Sequence, residues 1–330
     1  MCGRSLRTAN QSPPRPDPVD VTVTVKSADG STKKLLIPIT VTAPVTGPVW
    51  GVYNGLGAPY DTGDDEYTAL IGSRPRVGIS YYSMADGQLP NAQESRRVAA
   101  GTVPQISCES KSYKTATLQW AWVDIATGKY DAQYILFAQK LAALNGPVMV
   151  CPDHEGDEQI TNKQRLNPAD TGAAYAKAWL HVQSVMAPIA PKIIWVWWMG
   201  GYNTANMRSC YVGDSHVDVV GCDPYRSKSH PASETAAQTW NSRLSALDTF
   251  VGASVPRAMT ETATDITSAG IPAAVAWWDG VADRATALGL THVNFYNRHS
   301  DGEWWANPYP DVQAAIKRQI AKMNGPFKLL

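Results

Sequence analysis

The sequence predicts an α/β protein, namely a (β/α)8 TIM barrel preceded by a short N-terminal β-hairpin or by the remnant of a β-sandwich module. From Trp50 onward, eight short β-rich runs alternate with longer segments of helical periodicity, which is the order of elements in such a barrel. A doubly wound open sheet is the main competitor. It usually carries a glycine-rich phosphate loop after a strand, and the sequence shows none. The barrel is therefore favoured.

The first 48 residues differ in composition from the rest of the chain. Residues 1–18 are polar and rich in proline, so we expect them to be disordered. Residues 19–48 are predicted to form a β-hairpin appendage and a linker, because alternating Val and Thr flank a turn-like "ADGS" and "PVTGP" follows at 44–48. Two strands are rarely stable alone, so the hairpin should either end a truncated β-sandwich or pack on the main domain. Residues 49–330 then form the barrel.

The barrel strands are predicted from β-rich apolar runs bounded by turn residues. They are 50–55, 75–83, 102–110, 147–153, 192–198, 217–225, 256–263 and 291–297. In the helical segment 131–146, Ile135, Leu136, Ala138 and Leu141 are predicted to share the buried face, and Gly146 to end the helix. The segment 167–187 begins with capping residues and is predicted to be a second long helix.

The composition narrows the possible partners. The net charge is zero, which does not indicate a nucleic-acid partner. The 12 Trp and 14 Tyr against 4 Phe suit the apolar C–H face and hydroxyl edges of sugar rings, although protein interfaces and large cores use the same residues. No run is long enough to cross a membrane, and no signal peptide is visible. We expect no cofactor.

The cysteines and acidic clusters do not predict a metal site. The five cysteines lack zinc-like spacing, so buried free thiols are expected, with a Cys210–Cys222 pair left open. A zincin motif would need a second histidine where Glu158 stands. The acidic stretch 61–66 lacks the spacing of a calcium loop and is expected to be solvated.

The candidate active site follows from the barrel, because such enzymes carry their active sites at the C-terminal ends of the strands. Two carboxylates facing each other across an aromatic pocket could hydrolyse a glycosidic bond, and Glu155 and Glu261 are the strongest pair. A carboxylate at a strand end can equally be a helix cap or a surface charge. The side chains predicted at these strand ends are Glu109, Asp153, His154, Glu155, Trp197, Trp198, Asp223, Tyr225, Glu261, Tyr296 and Asn297, with Trp277, Trp278, Trp304 and Trp305 in the segments that follow.

Three motifs resemble glycoside hydrolase family 26. They are "GKYD" before a helix whose next strand ends in "HE", the run "VDVVGCDPY", and "VPRAMTETATD" with its late glutamate. The resemblance extends roughly from Trp50 to Trp305. It implies a retaining β-glycanase in which Glu155 is the acid/base and Glu261 the nucleophile. It also implies that His154 orients the substrate or the acid, and that Tyr225 hydrogen-bonds the nucleophile.

Further expectations follow from that resemblance. The two carboxyl groups should stand about 5–5.5 Å apart. Glu155 should have a raised pKa, and Glu261 should stay ionised. The substrate would be a polysaccharide: a β-mannan, a mixed-linkage glucan, or a bacterial capsule or wall glycan, cut internally. The residues expected to bind it are His154, Tyr225, Trp198, Trp278, Tyr296, Asp223, Glu109 and Trp304.

The chain departs from the family pattern in two loops. It has "HEGDEQITNK" where the family continues His-Glu-Met-Asn-Gly, and "WWMGGYN" where the family's fifth strand opens toward Ser-Pro-Asn. These loops shape the sugar subsites, so the sugar is left open. The alternative hypothesis is a carbohydrate-binding or structural barrel within a larger assembly, such as a phage tail-associated protein. In either case we expect an extracellular or virion-associated location.

Overall fold

A computed structural model describes residues 19–26, 32–39, 47–54, 63–115, 117, 119–298, 304–323, 325 and 327. The chain divides into two units, Met1–Val45 and Thr46–Leu330, and each is described by itself. The segment 1–18, predicted to be disordered, lies outside the described residues, as does most of the predicted linker.

The first unit contains one antiparallel strand pair. β1 (Val19–Lys26) pairs with β2 (Thr32–Ile39), from Val19 opposite Ile39 to Lys26 opposite Thr32. The predicted pairing is therefore confirmed, and the turn between the two strands lies outside the described residues.

The second unit is a closed parallel barrel. Its strands are β3 (Val49–Asn54), β4 (Val77–Ser83), β5 (Val103–Glu109), β6 (Val148–Pro152), β7 (Ile193–Met199), β8 (Val219–Cys222), the short β9 (Tyr225–Arg226), β10 (Arg257–Thr264) and β11 (His292–Asn297). Each strand pairs in parallel with its neighbour, and β11 pairs with both β10 and β3, which closes the sheet. The predicted (β/α)8 architecture is confirmed. Its sixth strand is shorter than predicted, because the chain leaves the ladder after Cys222 and pairs again only at Tyr225.

Helices surround the barrel. They are α1 (Gly63–Ile71), α2 (Ala92–Ala99), α3 (Trp122–Ile125), α4 (Asp131–Ala143), α5 (Gly156–Thr161), α6 (Gly172–Met186), α7 (Thr204–Cys210), α8 (Ala236–Leu247), α9 (Ile266–Ala269), α10 (Ile271–Asp279), α11 (Val281–Ala287) and α12 (Pro310–Lys322). Among the described residues, no helix combines the length and the apolar character needed to span a membrane.

The apolar core has two layers, one between the sheet and the helices and one inside the barrel. The pleat of β7 divides its tryptophans between them. Trp195 and Trp197 face the helical layer, whereas Trp198 faces the barrel interior, as the alternation predicts. Most of the tryptophans thus stabilise the fold.

The buried face of α4 differs from the prediction. Ala138 and Leu141 are buried as expected, but Ile135 and Leu136 are exposed, and Tyr134 and Phe137 are buried in their place. The two aromatic side chains have more apolar surface to remove from water, so they determine which face of the helix packs on the barrel.

The cysteines of the described residues are free. Cys108, Cys151, Cys210 and Cys222 are all buried thiols, so the Cys210–Cys222 pairing left open by the sequence does not occur. Within the described part of the chain, no group of three His, Cys, Asp or Glu side chains is arranged to hold a metal ion.

A buried ion network joins α1 and α2 to the sheet. The prediction of a solvated acidic stretch at 61–66 is wrong for Asp64, which is buried in α1. Asp65 and Glu66 are exposed as expected, and residues 61 and 62 lie outside the described residues. The Arg97 guanidinium donates to both oxygens of Asp64, at 2.7 and 2.9 Å, and to Glu94 at 3.3 Å. A Cβ on Gly78 of β4 would lie 2.4 Å from Arg97 Nε, so only glycine leaves room for the guanidinium.

We expect Arg97→Ala to lower the free energy of unfolding by about 3–5 kcal/mol, because it leaves two carboxylates buried without their cation. The exposed pair Arg74–Asp65 provides the control. Arg74→Ala should cost about 0–1 kcal/mol. Urea denaturation measures both. Equal losses for the two variants would contradict a stabilising role for the buried network.

Candidate active site

A cavity of about 980 Å³ lies at the C-terminal ends of the barrel strands. Side chains from strand ends all around the barrel line it. Those predicted from the sequence are Glu109, His154, Glu155, Tyr225, Glu261, Tyr296 and Trp304. The fold therefore brings most of the predicted site residues to one concave surface.

The loop after β6 presents Glu155 through a strained turn. Asp153 and Glu155 have φ values of 58° and 55°, which are uncommon for residues with a side chain. The Asp153 carboxylate accepts hydrogen bonds from the Ser110 N–H at 2.9 Å and from Trp122 Nε1 at 2.5 Å. The Glu155 N–H donates to the Trp198 carbonyl at 3.0 Å. These bonds hold the turn in place.

A second buried carboxylate fixes the same loop to the end of β7. Asp157 is fully buried, and its two oxygens accept hydrogen bonds from the Gly200 and Gly201 N–H groups at 2.9 and 3.0 Å. The glycine pair of "WWMGGYN" thus connects the two loops that depart from the family pattern.

Glu155 adjoins a line of ionisable groups that begins at Glu109. His154 Nδ1 lies 2.8 Å from Glu109 Oε1, and His154 Nε2 lies 3.8 Å from Glu155 Oε2. Burial disfavours the charged forms of Glu109 and His154, but the attraction between their opposite charges outweighs the effect of burial. The pKa of Glu109 is lowered to about 2, and the pKa of His154 is raised. The attraction to Glu109 therefore favours the cationic form of the imidazole beside Glu155.

The pKa of Glu155 is raised to about 8. Burial is the largest cause, the His154 cation opposes it, and Asp223, Glu158 and Asp157 add to it by repulsion. The carboxyl group thus keeps its proton near neutral pH, which is the state that a proton donor to a leaving group needs.

Glu261 is held between two phenols. The Tyr81 hydroxyl donates to its Oε1 and the Tyr225 hydroxyl to its Oε2, so the expected bond from Tyr225 is present. The expectation that Glu261 stays ionised is not met, because burial raises the pKa of Glu261 well above its usual range. The phenol bonds act in the opposite direction, since they favour the charged form.

Two predicted binding residues lie beneath the cavity and cannot touch a ligand. Trp198 and Asp223 are both fully buried, and the indole N–H of Trp198 donates to Asp223. The Trp198 ring packs on His154 with centroids 4.8 Å apart, and Thr260 donates to Asp223 at 2.7 Å. The prediction of direct substrate binding is wrong for both, because each faces the closed barrel interior and supports His154 from below.

The prediction that Trp278 binds substrate is also wrong. Trp278 belongs to α10 and packs against Phe295 and Trp277, with centroids 4.8 and 5.0 Å apart. The segment after β10 forms α9 and then α10, so this tryptophan enters the helical layer rather than a loop at the cavity.

Sequence reasoning missed several cavity residues. Tyr53, Tyr81, Lys111, Glu158 and Tyr202 all line the cavity, and Lys111 Nζ lies 3.1 Å from Glu109 although no lysine was expected there. The strand pleat could have identified Tyr81, because it shares a face with the apolar Ile79 inside the barrel. Tyr53 could have been identified in the same way, because it lies in β3 and shares the inner face with Val49. Lys111 and Tyr202 follow strand ends, and Glu158 lies in the short helix α5, where periodicity gives no signal.

The fold and the cavity together define a (β/α)8 barrel with opposed carboxylates in an aromatic-lined cleft. No protein-family model matches the sequence, and no curated protein matches it. Similarity is found among solved structures, and their sequence identity to this chain is low, so they establish its fold.

Three of these structures are mannanases, the first of them a β-mannanase of glycoside hydrolase family 26. One from Bacteroides ovatus has a TM-score of 0.61 at 16% identity and covers 86% of this chain and 92% of its own. One from a symbiotic protist of the termite Reticulitermes speratus has a TM-score of 0.55 at 14% identity, covering 86% and 88%. A Bacillus subtilis mannanase has a TM-score of 0.55 at 17% identity, and the match covers 82% of this chain and 84% of the mannanase. The predicted resemblance in fold is confirmed.

Removing either phenol donor should raise the pKa of Glu261 further, because Tyr81→Phe or Tyr225→Phe deletes a hydrogen bond that favours the carboxylate. Carbon-13 NMR titration of glutamate-labelled protein would measure it, with Glu261→Gln assigning the signal. Tyr202→Phe is the control, since that hydroxyl donates to the Asp223 carbonyl instead. An unchanged pKa in both test variants would show that the phenols do not control Glu261.

Glu155 should make folding less favourable as the pH rises. Its pKa in the folded protein is about 8 instead of 4.5, so the folded state binds more protons than the unfolded state between those values. The free energy of unfolding should fall across that window, by at most about 1.4 kcal/mol per pH unit from this group.

The Glu155→Gln variant should lose the part of the fall in unfolding free energy that comes from Glu155, so it should be more stable than the parent protein at pH 8. Urea denaturation at pH 5 and pH 8 would measure this difference. Glu66→Gln, on the exposed side of α1, controls for the loss of one carboxylate. Parallel pH profiles for the parent protein and Glu155→Gln would overturn this expectation.

Proposed function

We propose that this protein is a retaining glycoside hydrolase that cleaves a β-linked polysaccharide internally, with Glu155 as acid/base and Glu261 as nucleophile. The observation that carries the proposal is that these two carboxyl groups, one following β6 and one within β10, line one cavity, where two phenols donate to Glu261 and His154 adjoins Glu155. Retaining hydrolysis needs one carboxyl group that donates a proton and one that attacks carbon.

The surroundings of Glu155 and Glu261 decide which of the two is the acid/base and which is the nucleophile. Glu155 is repelled by Asp223, Glu158 and Asp157, which favours its protonated form. Glu261 receives both phenol hydrogen bonds, which favour its charged form, whereas burial raises its pKa. We assign the single negative charge of the pair to Glu261 on the basis of these two hydrogen bonds.

The reaction would proceed in two displacements. Glu155 gives its proton to the glycosidic oxygen while a Glu261 oxygen attacks the anomeric carbon, and the leaving sugar departs as an alcohol. Glu155, now a carboxylate near the His154 cation, then removes a proton from water, and the resulting hydroxide displaces Glu261. Each phenol remains bonded to a Glu261 oxygen and limits its rotation.

β-Mannan is the first substrate to test, because the solved structures of similar fold are β-mannanases. Mixed-linkage glucan and bacterial capsule or wall polysaccharides remain further candidates, since the loops after β6 and β7 differ from the family pattern. We also propose an extracellular or virion-associated location, where such polymers occur.

The test is release of reducing ends from mannan, mixed-linkage glucan, xylan, and capsule or wall polysaccharides. Glu155→Ala should lower polysaccharide cleavage by about 10²–10⁴-fold but spare the first step with an aryl glycoside whose leaving group needs no proton, seen as a rapid burst of released aglycone followed by slow turnover. Glu261→Ala should abolish both activities, and proton NMR of the first product should show the β anomer.

Glu66→Gln, outside the cavity, should keep the parental activity and serves as the control. Release unaffected by either alanine substitution would sink the assignment of the pair. Binding without release from any polymer would instead favour the alternative, a carbohydrate-binding or structural barrel.

A further inference from the structure

We propose that Tyr202 and Glu158 form the subsite for the leaving-group sugar, with Tyr202 stacking on the apolar face of a pyranose ring and Glu158 bonding to its hydroxyls. The inference rests on the proposed function and names the part of the cavity that holds the sugar released in the first displacement. Both residues lie in the two loops that depart from the family pattern.

The ring of Tyr202 presents an apolar surface inside a polar cleft. It lines the cavity and is 42% exposed, while the neighbouring wall includes Glu155 and Glu158. A large aromatic ring left in water at this place gains stability when an apolar surface covers it, and the C–H face of a sugar ring is such a surface.

Contacts on one face of the Tyr202 ring and at its hydroxyl fix the position of the ring before a ligand binds. The Arg243 guanidinium, from α8, lies 3.9 Å from the ring centroid. The Tyr202 hydroxyl donates to the Asp223 carbonyl at 3.3 Å and accepts from the Tyr225 N–H at 3.4 Å. A platform fixed before binding loses little conformational entropy when the ligand arrives.

The glycine pair before Tyr202 makes this arrangement possible. A Cβ on Gly200 would lie 2.4 Å from Glu158 Cγ, so glycine leaves the space that Glu158 occupies. Gly201 has a φ of 87°, which favours glycine and turns the chain from the end of β7 toward the cavity. The pair thus places Tyr202 and Glu158 on the same wall.

The two residues lie on the side of Glu155. The Glu158 N–H donates to the Glu155 carbonyl at 3.0 Å, one turn along the chain. The acid must touch the oxygen that joins the two sugars, so a platform beside the acid faces the departing sugar.

Glu158 has the ionisation that suits hydroxyl recognition. Burial and then Asp157 raise its pKa to about 7, whereas Arg243 and His154 lower it. Near neutral pH the carboxyl group can therefore either donate or accept a hydrogen bond, and sugar hydroxyls can do the same.

The experiment compares two probes that differ only in the leaving group. β-1,4-Mannopentaose releases a sugar, whereas β-mannobiosyl fluoride releases fluoride and leaves the proposed subsite empty. Tyr202→Ala should lower kcat/KM for mannopentaose by roughly tenfold, the size of one aromatic contact, and change the fluoride reaction less than about twofold. Tyr202→Trp and Tyr202→Phe keep the platform and should keep most of the activity on mannopentaose.

Leu136→Ala is the matched control, because Leu136 is 48% exposed on the outer face of α4. It should change neither reaction. An equal effect of Tyr202→Ala on both probes, or no effect on either, would overturn the subsite while leaving the proposed function intact.

A parent protein that cleaves neither probe would count against mannan as the substrate. Calorimetry then compares the single variant Glu155→Gln with the double variant that carries both Glu155→Gln and Tyr202→Ala, on each polymer of the activity panel. Weaker binding by the double variant supports the platform. Equal binding by the two variants, or no binding of any polymer, overturns it.

Discussion

The candidate site depends on two buried carboxylates that hold the loop after β6. Asp153 receives the Ser110 N–H and the Trp122 indole, and Asp157 receives the N–H groups of Gly200 and Gly201. A buried carboxylate is costly unless hydrogen bonds satisfy it, so each bond that is made also fixes a geometry. The strained turn at Glu155 persists because both anchors hold it, and the position of the proposed acid follows from them.

The same loop sets the charges around the cavity. Glu109 favours the cationic form of His154 from one side, while burial and the acidic groups on the other side raise the pKa of Glu155. Glu261, across the barrel, meets two phenols and no charged partner among the contacts described for it. A pair of chemically identical carboxyl groups is thus made unequal by neighbours that come from different strands.

The strand pattern could be predicted because alternation and apolar runs are local signals, and the eight barrel strands appear close to where the sequence places them. Glu155, His154 and Tyr225 were found because strand ends in a parallel barrel converge on one face. Trp278 was misplaced because sequence order does not tell a loop from a helix packed outside the sheet. Tyr202 was missed because it lies in a loop, where periodicity gives no signal, and because its contact with Arg243 of α8 joins segments far apart in the sequence.

The sequence by itself determined the barrel and the end of the barrel at which Glu155 and Glu261 lie, since period and order along the chain are sufficient for these. Only the tertiary structure decided what surrounds each carboxyl group. Burial of Trp198 and Asp223, the phenol of Tyr81 on Glu261, and the platform at Tyr202 all arise from contacts between distant segments. Protonation and ligand contact depend on those neighbours in space, which local sequence does not specify.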